Sequence, residues 1–124
     1  MKESRTLEFK QDVTNSFLKT VSAFANFGTG TILFGVDDSG KTVGVSDPDK
    51  VRLDIENRVN DSIRPKPEYS ISVNRKTNVI SLVVQEGRYK PYLYKGKAVR
   101  VGFKGEKQDK VRVAKVDGKL ETID

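Results

Sequence analysis

Leu7 and Phe9 alternate with Glu8 and Lys10 near the amino terminus, the period-two pattern of a short half-buried strand over residues 6–11 in which Glu8 and Lys10 share a face. Thr14, Asn15 and Ser16 then offer N-cap oxygens ahead of Phe17, Leu18, Val21, Phe24 and Ala25. That apolar stripe has helical spacing and stops at Gly28, so a helix is predicted over residues 15–27. Residues 31–36 form a continuous β-prone block closed by Asp37-Asp38-Ser39-Gly40, and residues 41–45 read as its returning hairpin strand. Ser46-Asp47-Pro48 opens a second amphipathic helix, residues 48–62, because Val51, Ile55, Val59 and Ile63 recur every four positions until Arg64-Pro65-Lys66-Pro67.

Past the prolines the period returns to two. Tyr69, Ile71 and Val73 alternate with polar residues, residues 75–78 turn, and residues 79–84 form an apolar strand, which together make a second hairpin. Residues 89–94 lead into Lys95-Gly96-Lys97 and residues 98–101, a strand pair around a glycine turn. Val111, Val113 and Val116 ahead of Asp117-Gly118 predict a terminal hairpin. The order β-α-β-β-α-β-β-β, with two helices and many strands, predicts an α+β fold: one domain over residues 1–124, a mixed sheet with two helices packed on it.

Composition narrows the chemistry. The 124 residues include no cysteine and no histidine, which removes disulfides, thiolate or imidazole metal sites and Cys or His catalysis. Catalysis would have to use carboxylates, Lys, Arg, Tyr, Ser or Thr, with a hard cation held by oxygens. The amino terminus lacks the apolar core of a signal peptide and no apolar run approaches a membrane span, so a soluble, cytoplasmic protein is expected. Charge is segregated: residues 1–63 carry 8 Lys/Arg against 10 Asp/Glu, whereas residues 64–119 carry 15 against 5. A basic carboxyl half points to a polyanionic partner, since neutralising phosphates releases condensed counterions; solubility alone is the alternative.

The strings Glu3-Ser4-Arg5-Thr6-Leu7-Glu8-Phe9-Lys10, Leu18-Lys19-Thr20-Val21-Ser22-Ala23-Phe24-Ala25-Asn26 and Gly30-Thr31-Ile32-Leu33-Phe34-Gly35-Val36-Asp37-Asp38-Ser39-Gly40 resemble the Schlafen AlbA family in order, spacing and context. The resemblance is clearest over residues 1–65 and extends to about residue 103. It implies an AlbA/Schlafen-like fold and the DNA- or RNA-binding module of a bacterial transcriptional regulator, with the chain opening a longer regulator in many members. Related units of the animal Schlafen proteins form a tRNA- and rRNA-cleaving core. Two features depart from the family: glycine is sparser in Phe27-Gly28-Thr29-Gly30, and residues 104–124 lack the family's arginine-bearing, helix-leading end.

The resemblance also implies a site. Glu3, Glu8 and Asp37 or Asp38 match the acidic triad of nuclease members, where clustered carboxylates would hold Mg²⁺ or Mn²⁺ to activate water. Lys10 would contact a phosphate or stabilise developing charge. The alternatives are surface acids, an Asp37-Asp38 hairpin turn and a Glu8–Lys10 ion pair. Residues five apart on a regular strand face opposite ways, so Glu3 must lie before the strand or be redirected to join Glu8. Lys19, on the helix face away from Phe17, Val21 and Phe24, is a second phosphate candidate or an ordinary solvated lysine. Gly28-Thr29-Gly30-Thr31 runs from helix to strand, the reverse of a P-loop, so it reads as a cap and not an ATP cradle.

Basic and aromatic residues interleave over residues 88–97, a combination that stacks bases while tracking a backbone. Arg88, Lys90, Tyr92, Tyr94, Lys95 and Lys97, continued by Arg100 and Lys104, are the nucleic-acid candidates; ordinary sheet tyrosines are the alternative. Three functions compete: a nucleic-acid-binding module, a metal-dependent endoribonuclease using the carboxylates, and an interaction module whose basic strands cover an acidic partner. A nuclease channel built from two lobes would call for a homodimer. DNA and RNA stay undistinguished at this level.

Overall fold

Two helices and nine strands follow one another along residues 2–103, 110–116 and 119–122, the residues described by this computed structural model. They are β1 (Leu7–Lys10), α1 (Phe17–Phe27), β2 (Gly30–Phe34), α2 (Pro48–Ser62), β3 (Ile63–Arg64), β4 (Tyr69–Asn74), β5 (Val79–Val84), β6 (Leu93–Tyr94), β7 (Lys97–Phe103), β8 (Lys110–Val116) and β9 (Lys119–Thr122). The α+β class is as the patterning predicts, but the strands form two sheets. One is mixed, in the order β1-β2-β5-β4 with β1 parallel to β2; the other is antiparallel, in the order β3-β6-β7-β8-β9.

Helix α1 connects the parallel pair and lies between the sheets. Phe17 meets Phe34 edge to face with ring centroids 5.2 Å apart, and Gly30 is bare because a β-carbon there would overlap the Phe24 ring. The helix also packs on β3, β6 and β7 of the second sheet. Nine of its eleven residues are therefore buried, including Thr20, Ser22 and Asn26, which a helix with one dry face would expose. Helix α2 covers β4 and β5 with Ile55 and Val59. No helix of the described residues is long and apolar enough to cross a membrane.

Several boundaries shift for local reasons. Helix α1 starts at Phe17 without a side-chain cap, because the Ser16 hydroxyl accepts a bond from Lys10 Nζ at 3.1 Å and the Asn15 amide oxygen accepts one from Arg58. The expected returning strand at residues 41–45 reduces to a single bridge between Val36 and Thr42. Gly35 (φ 97°) and Gly44 (φ 79°) bend the chain, and the N–H groups of Val43 and Gly44 both donate to the Gly35 carbonyl at 2.8 Å. Of residues 89–94 only Leu93–Tyr94 is strand; Lys95 (φ 53°) and Gly96 (φ 75°) then make the two-residue turn into β7. In the terminal hairpin β8 pairs with β9, its turn residues lying outside the described residues.

Candidate nucleic-acid interface and the carboxylates around it

Strand β1 turns its polar face inward. Its register sets Glu8 beside Ile32 and Lys10 beside Phe34, on the face covered by α1, while Leu7 and Phe9 pack with Leu33, Val36 and Val79 in a smaller cluster on the opposite face. Glu8 is only 4% exposed; its Oε2 accepts the Thr20 hydroxyl at 2.8 Å and lies 3.6 Å from Lys10 Nζ. Lys10 passes the network to Ser16, which pairs with Thr14 at 2.9 Å. A buried carboxylate without such partners would be prohibitively unfavourable, so the network is a condition of Glu8 lying there.

The other acids are elsewhere engaged. The chain folds back at Ser4 and Leu7, which exchange backbone bonds, and Glu3 Oε2 accepts the Phe9 N–H at 2.8 Å. Glu3 thus covers the outer edge of β1, one solution to an unpaired strand edge. Asp37 closes its turn by accepting from the Ser39 N–H at 3.0 Å, the Ser39 hydroxyl at 2.7 Å and the Lys41 N–H at 2.9 Å, and Asp38 is exposed beside it. Among the described residues no three His, Cys, Asp or Glu side chains gather to hold a metal ion, so Glu3, Glu8 and Asp37 as arranged do not fit a shared Mg²⁺ or Mn²⁺. Of the acidic candidates and Lys10, the structure brings together Glu8 and Lys10.

The Ser39 hydroxyl, then the Lys41 N–H, hold the Asp37 carboxyl below its ordinary value near 3.8. A depressed carboxyl stabilises the fold above its unfolded value, and the contribution is lost as pH falls through the lower folded value. The 37–41 turn should therefore loosen below about pH 4, and amide exchange at Ser39 and Lys41 should quicken there. The same acid-dependent quickening persisting in Asp37→Asn would remove the carboxylate from the account.

In the basic segment, Arg88, Tyr89 and Lys90 are exposed, and Lys90 pairs with Glu86. Lys95 is exposed at the hairpin tip, its ammonium 5.4 Å from the Tyr94 ring centre; Lys97 is half-buried. Arg100 pairs with Val113 between β7 and β8, and Lys104 lies outside the described residues. Lys19 is half-buried and, with Phe27, is one of the two residues of α1 that are not buried. The tyrosines require correction. Tyr92 is 1% exposed and Tyr94 is buried, so neither ring presents a face to a base. The aromatic on this surface is Tyr89, 70% exposed, which alternation along the segment did not single out.

Tyr92 is buried because α1 grips its backbone. Asn26 Oδ1 accepts the Tyr92 N–H at 2.6 Å, Asn26 Nδ2 donates to the Tyr92 carbonyl at 2.8 Å, and the Ser22 hydroxyl donates to the same carbonyl at 2.8 Å. The amide does what a neighbouring strand would do. The Tyr92 hydroxyl in turn accepts the Tyr89 N–H at 3.1 Å, anchoring the exposed loop. Ser22 and Asn26 stood within the family-like helix string, and polar residues at i and i+4 on an otherwise apolar helix were the available signal.

A cleft of 570 Å³ between α2 and β4 is lined by Glu56 and Glu68 as well as Lys66. Burial first and the nearby Glu56 second push the Tyr69 hydroxyl up, a polarity ill suited to phosphate. Comparison with known proteins agrees with the fold. The family model described as Schlafen, AlbA_2 matches residues 3–116. The chain is similar to the solution NMR structure of the N-terminal domain of an ATP-dependent DNA helicase RecG-related protein from Nitrosomonas europaea. They share 28% identity with a TM-score of 0.51, over 86% of this chain and 85% of that one.

Proposed function

The chain belongs to the Schlafen, AlbA_2 family, and on that premise we propose that it binds nucleic acid, as the DNA- or RNA-binding module of a bacterial transcriptional regulator. The observation that carries this reading is that Arg88 and Lys90 flank the exposed Tyr89 in one loop, with Lys95 exposed and Lys97 half-exposed at the hairpin that follows. The similar domain from a DNA helicase-related protein supports it. Four phosphate contacts by these cations would give a log–log salt slope of about −3.6 on duplex and about −2.8 on a single strand. Titration of a labelled oligonucleotide at several salt concentrations tests this. Arg88→Ala with Lys95→Ala should make the slope shallower by about 1.4 to 1.8. An unchanged slope, or no binding at low salt, would remove the surface from contention.

A Mg²⁺- or Mn²⁺-dependent endoribonuclease, the alternative that the resemblance implies, would require Glu3 and Asp37 to leave their present partners and join Glu8. RNA cleavage with Mn²⁺ that both EDTA and Glu8→Gln abolish would establish it; intact RNA would leave Glu8 a structural residue.

A further inference from the structure

We propose that strand β4 pairs with its counterpart in a second copy of this chain, antiparallel and centred on Ser72, joining the two four-stranded mixed sheets into one continuous sheet. Such a dimer needs no nucleic acid and stands or falls apart from the reading above.

An edge strand leaves a row of N–H and C=O groups without partners, a template for another chain. The edges of the mixed sheet are β1 and β4. Glu3 covers the first by accepting the Phe9 N–H. Strand β4 has no such protection: Tyr69–Asn74 is six residues long, carries no charge and no proline, and keeps an unbroken register with β5. The Glu68 carbonyl accepts the Gln85 N–H at 2.9 Å, so by alternation Ser70, Ser72 and Asn74 turn their backbone groups to β5 while Tyr69, Ile71 and Val73 turn theirs outward. Among the described residues no hydrogen bond reaches that outward row.

Antiparallel pairing brings the amino end of one β4 onto the carboxyl end of the other, and those ends are opposite in charge. The cleft at the amino end is lined by Glu56, Glu68 and Tyr69; at the carboxyl end Arg75 and Lys76 are exposed on the turn. A two-fold axis at Ser72 sets Ile71 opposite Val73, Tyr69 opposite Arg75 and Glu68 opposite Lys76, each of them twice, and residues of like face stay together. Lys66, also in the cleft lining, then falls opposite the uncharged Asn78. Moving the axis to Ile71 would oppose Lys66 to Lys76 and aim Pro67, which has no N–H, at Arg75. No ion pair among the described residues engages Glu68 or Lys76, and Arg75 meets Asp49 where both are mostly exposed, a contact worth little. The charges at both ends are therefore available to a partner, and they select one register.

Sedimentation velocity from about 10 μM to about 1 mM reads the association. Wild type should pass from monomer to dimer across that range. Ser72 is exposed, so Ser72→Lys and Ser72→Asp leave the packing of the monomer alone. Each sets like charges against one another at the axis and should raise Kd at least about tenfold, while an equal mixture of the two should dimerise again. Val73→Pro removes an outward N–H, keeps the bonds to β5 and should also be monomeric; thermal melts confirm that each variant folds. The chain has no cysteine, so Ser72→Cys places a single thiol on each copy. The central pair would hold its Cα atoms about 4.5 Å apart, within the span of a disulfide, and oxidised glutathione should link the copies. Ser70→Cys, with thiols about 14 Å apart along the strands, should stay unlinked. A dimer indifferent to Ser72→Lys, or equal linking of the two cysteine variants, would overturn the pairing. So would a monomer at every concentration, which would leave the β4 edge to a different chain.

Discussion

Replacing Asn26 by alanine should destabilise the protein by about 2–4 kcal/mol and lower Tm by on the order of 10 °C. The amide satisfies both backbone groups of a buried residue, Tyr92. In the alanine variant the Tyr92 carbonyl keeps Ser22 as a donor, but the N–H is stranded away from water, and an unpaired buried donor costs more than a lost bond returns. Asn26→Asp should be at least as damaging, since it offers no N–H to the carbonyl and buries a charge. Ser22→Ala should cost about 1 kcal/mol, because one donor to the carbonyl remains. Urea unfolding followed by circular dichroism measures all three. A change below about 0.5 kcal/mol for Asn26→Ala would mean the clamp is not structural. The consequence reaches the candidate interface, because Tyr92 anchors the Tyr89 N–H and Gly87 packs against the Tyr92 ring. Oligonucleotide binding by folded Asn26→Ala should therefore weaken although the residue is itself buried.

Gly44→Ala should cost about 2–5 kcal/mol, from a left-handed backbone of about 1–2 kcal/mol and a steric clash of about 1–3 kcal/mol. Gly44 has φ 79°, and a β-carbon there would stand 2.6 Å from the Thr77 carbonyl oxygen, a backbone atom with no rotamer to escape into. Relaxing the clash would pull on the Val45 N–H bond to the Asn78 carbonyl and on the paired bonds to Gly35. Gly96→Ala is the control. Its φ of 75° is similar, but nothing lies within 4 Å of the added carbon, so only the backbone term of about 1–2 kcal/mol remains. Equal denaturant midpoints for the two variants would show that conformation, not the close approach to Thr77, accounts for the loss.

Much of this architecture could be read along the chain, because it depends on neighbours a few residues away. The four-residue recurrence of Val51, Ile55, Val59 and Ile63 between Pro48 and Arg64-Pro65 predicted α2, alternation predicted the β4–β5 hairpin, and the glycine predicted the turn at Lys95-Gly96. The three strings that carry the family resemblance are explained in part by packing: Gly30 makes room for Phe24, Gly35 abuts Gly44, and Asn26 holds Tyr92. Glu3 reached β1 by the redirection that strand geometry demanded, yet it caps the Phe9 N–H on the strand's outer edge.

What the sequence determined by itself was which residues share a face and where α2 and the β4–β5 hairpin begin and end, since backbone periodicity sets both locally. What only the tertiary structure decided was what each face meets. Alternation placed Glu8 and Lys10 together, but only the packing of α1 over β1 made that polar face the inner one and gave Glu8 its Thr20 partner. The same basic and aromatic segment supplied Tyr89, Tyr92 and Tyr94, and only the second sheet and the Asn26 clamp buried two of them and left the first in water. Burial is set by elements distant in sequence closing on one another, and no local period encodes that closure.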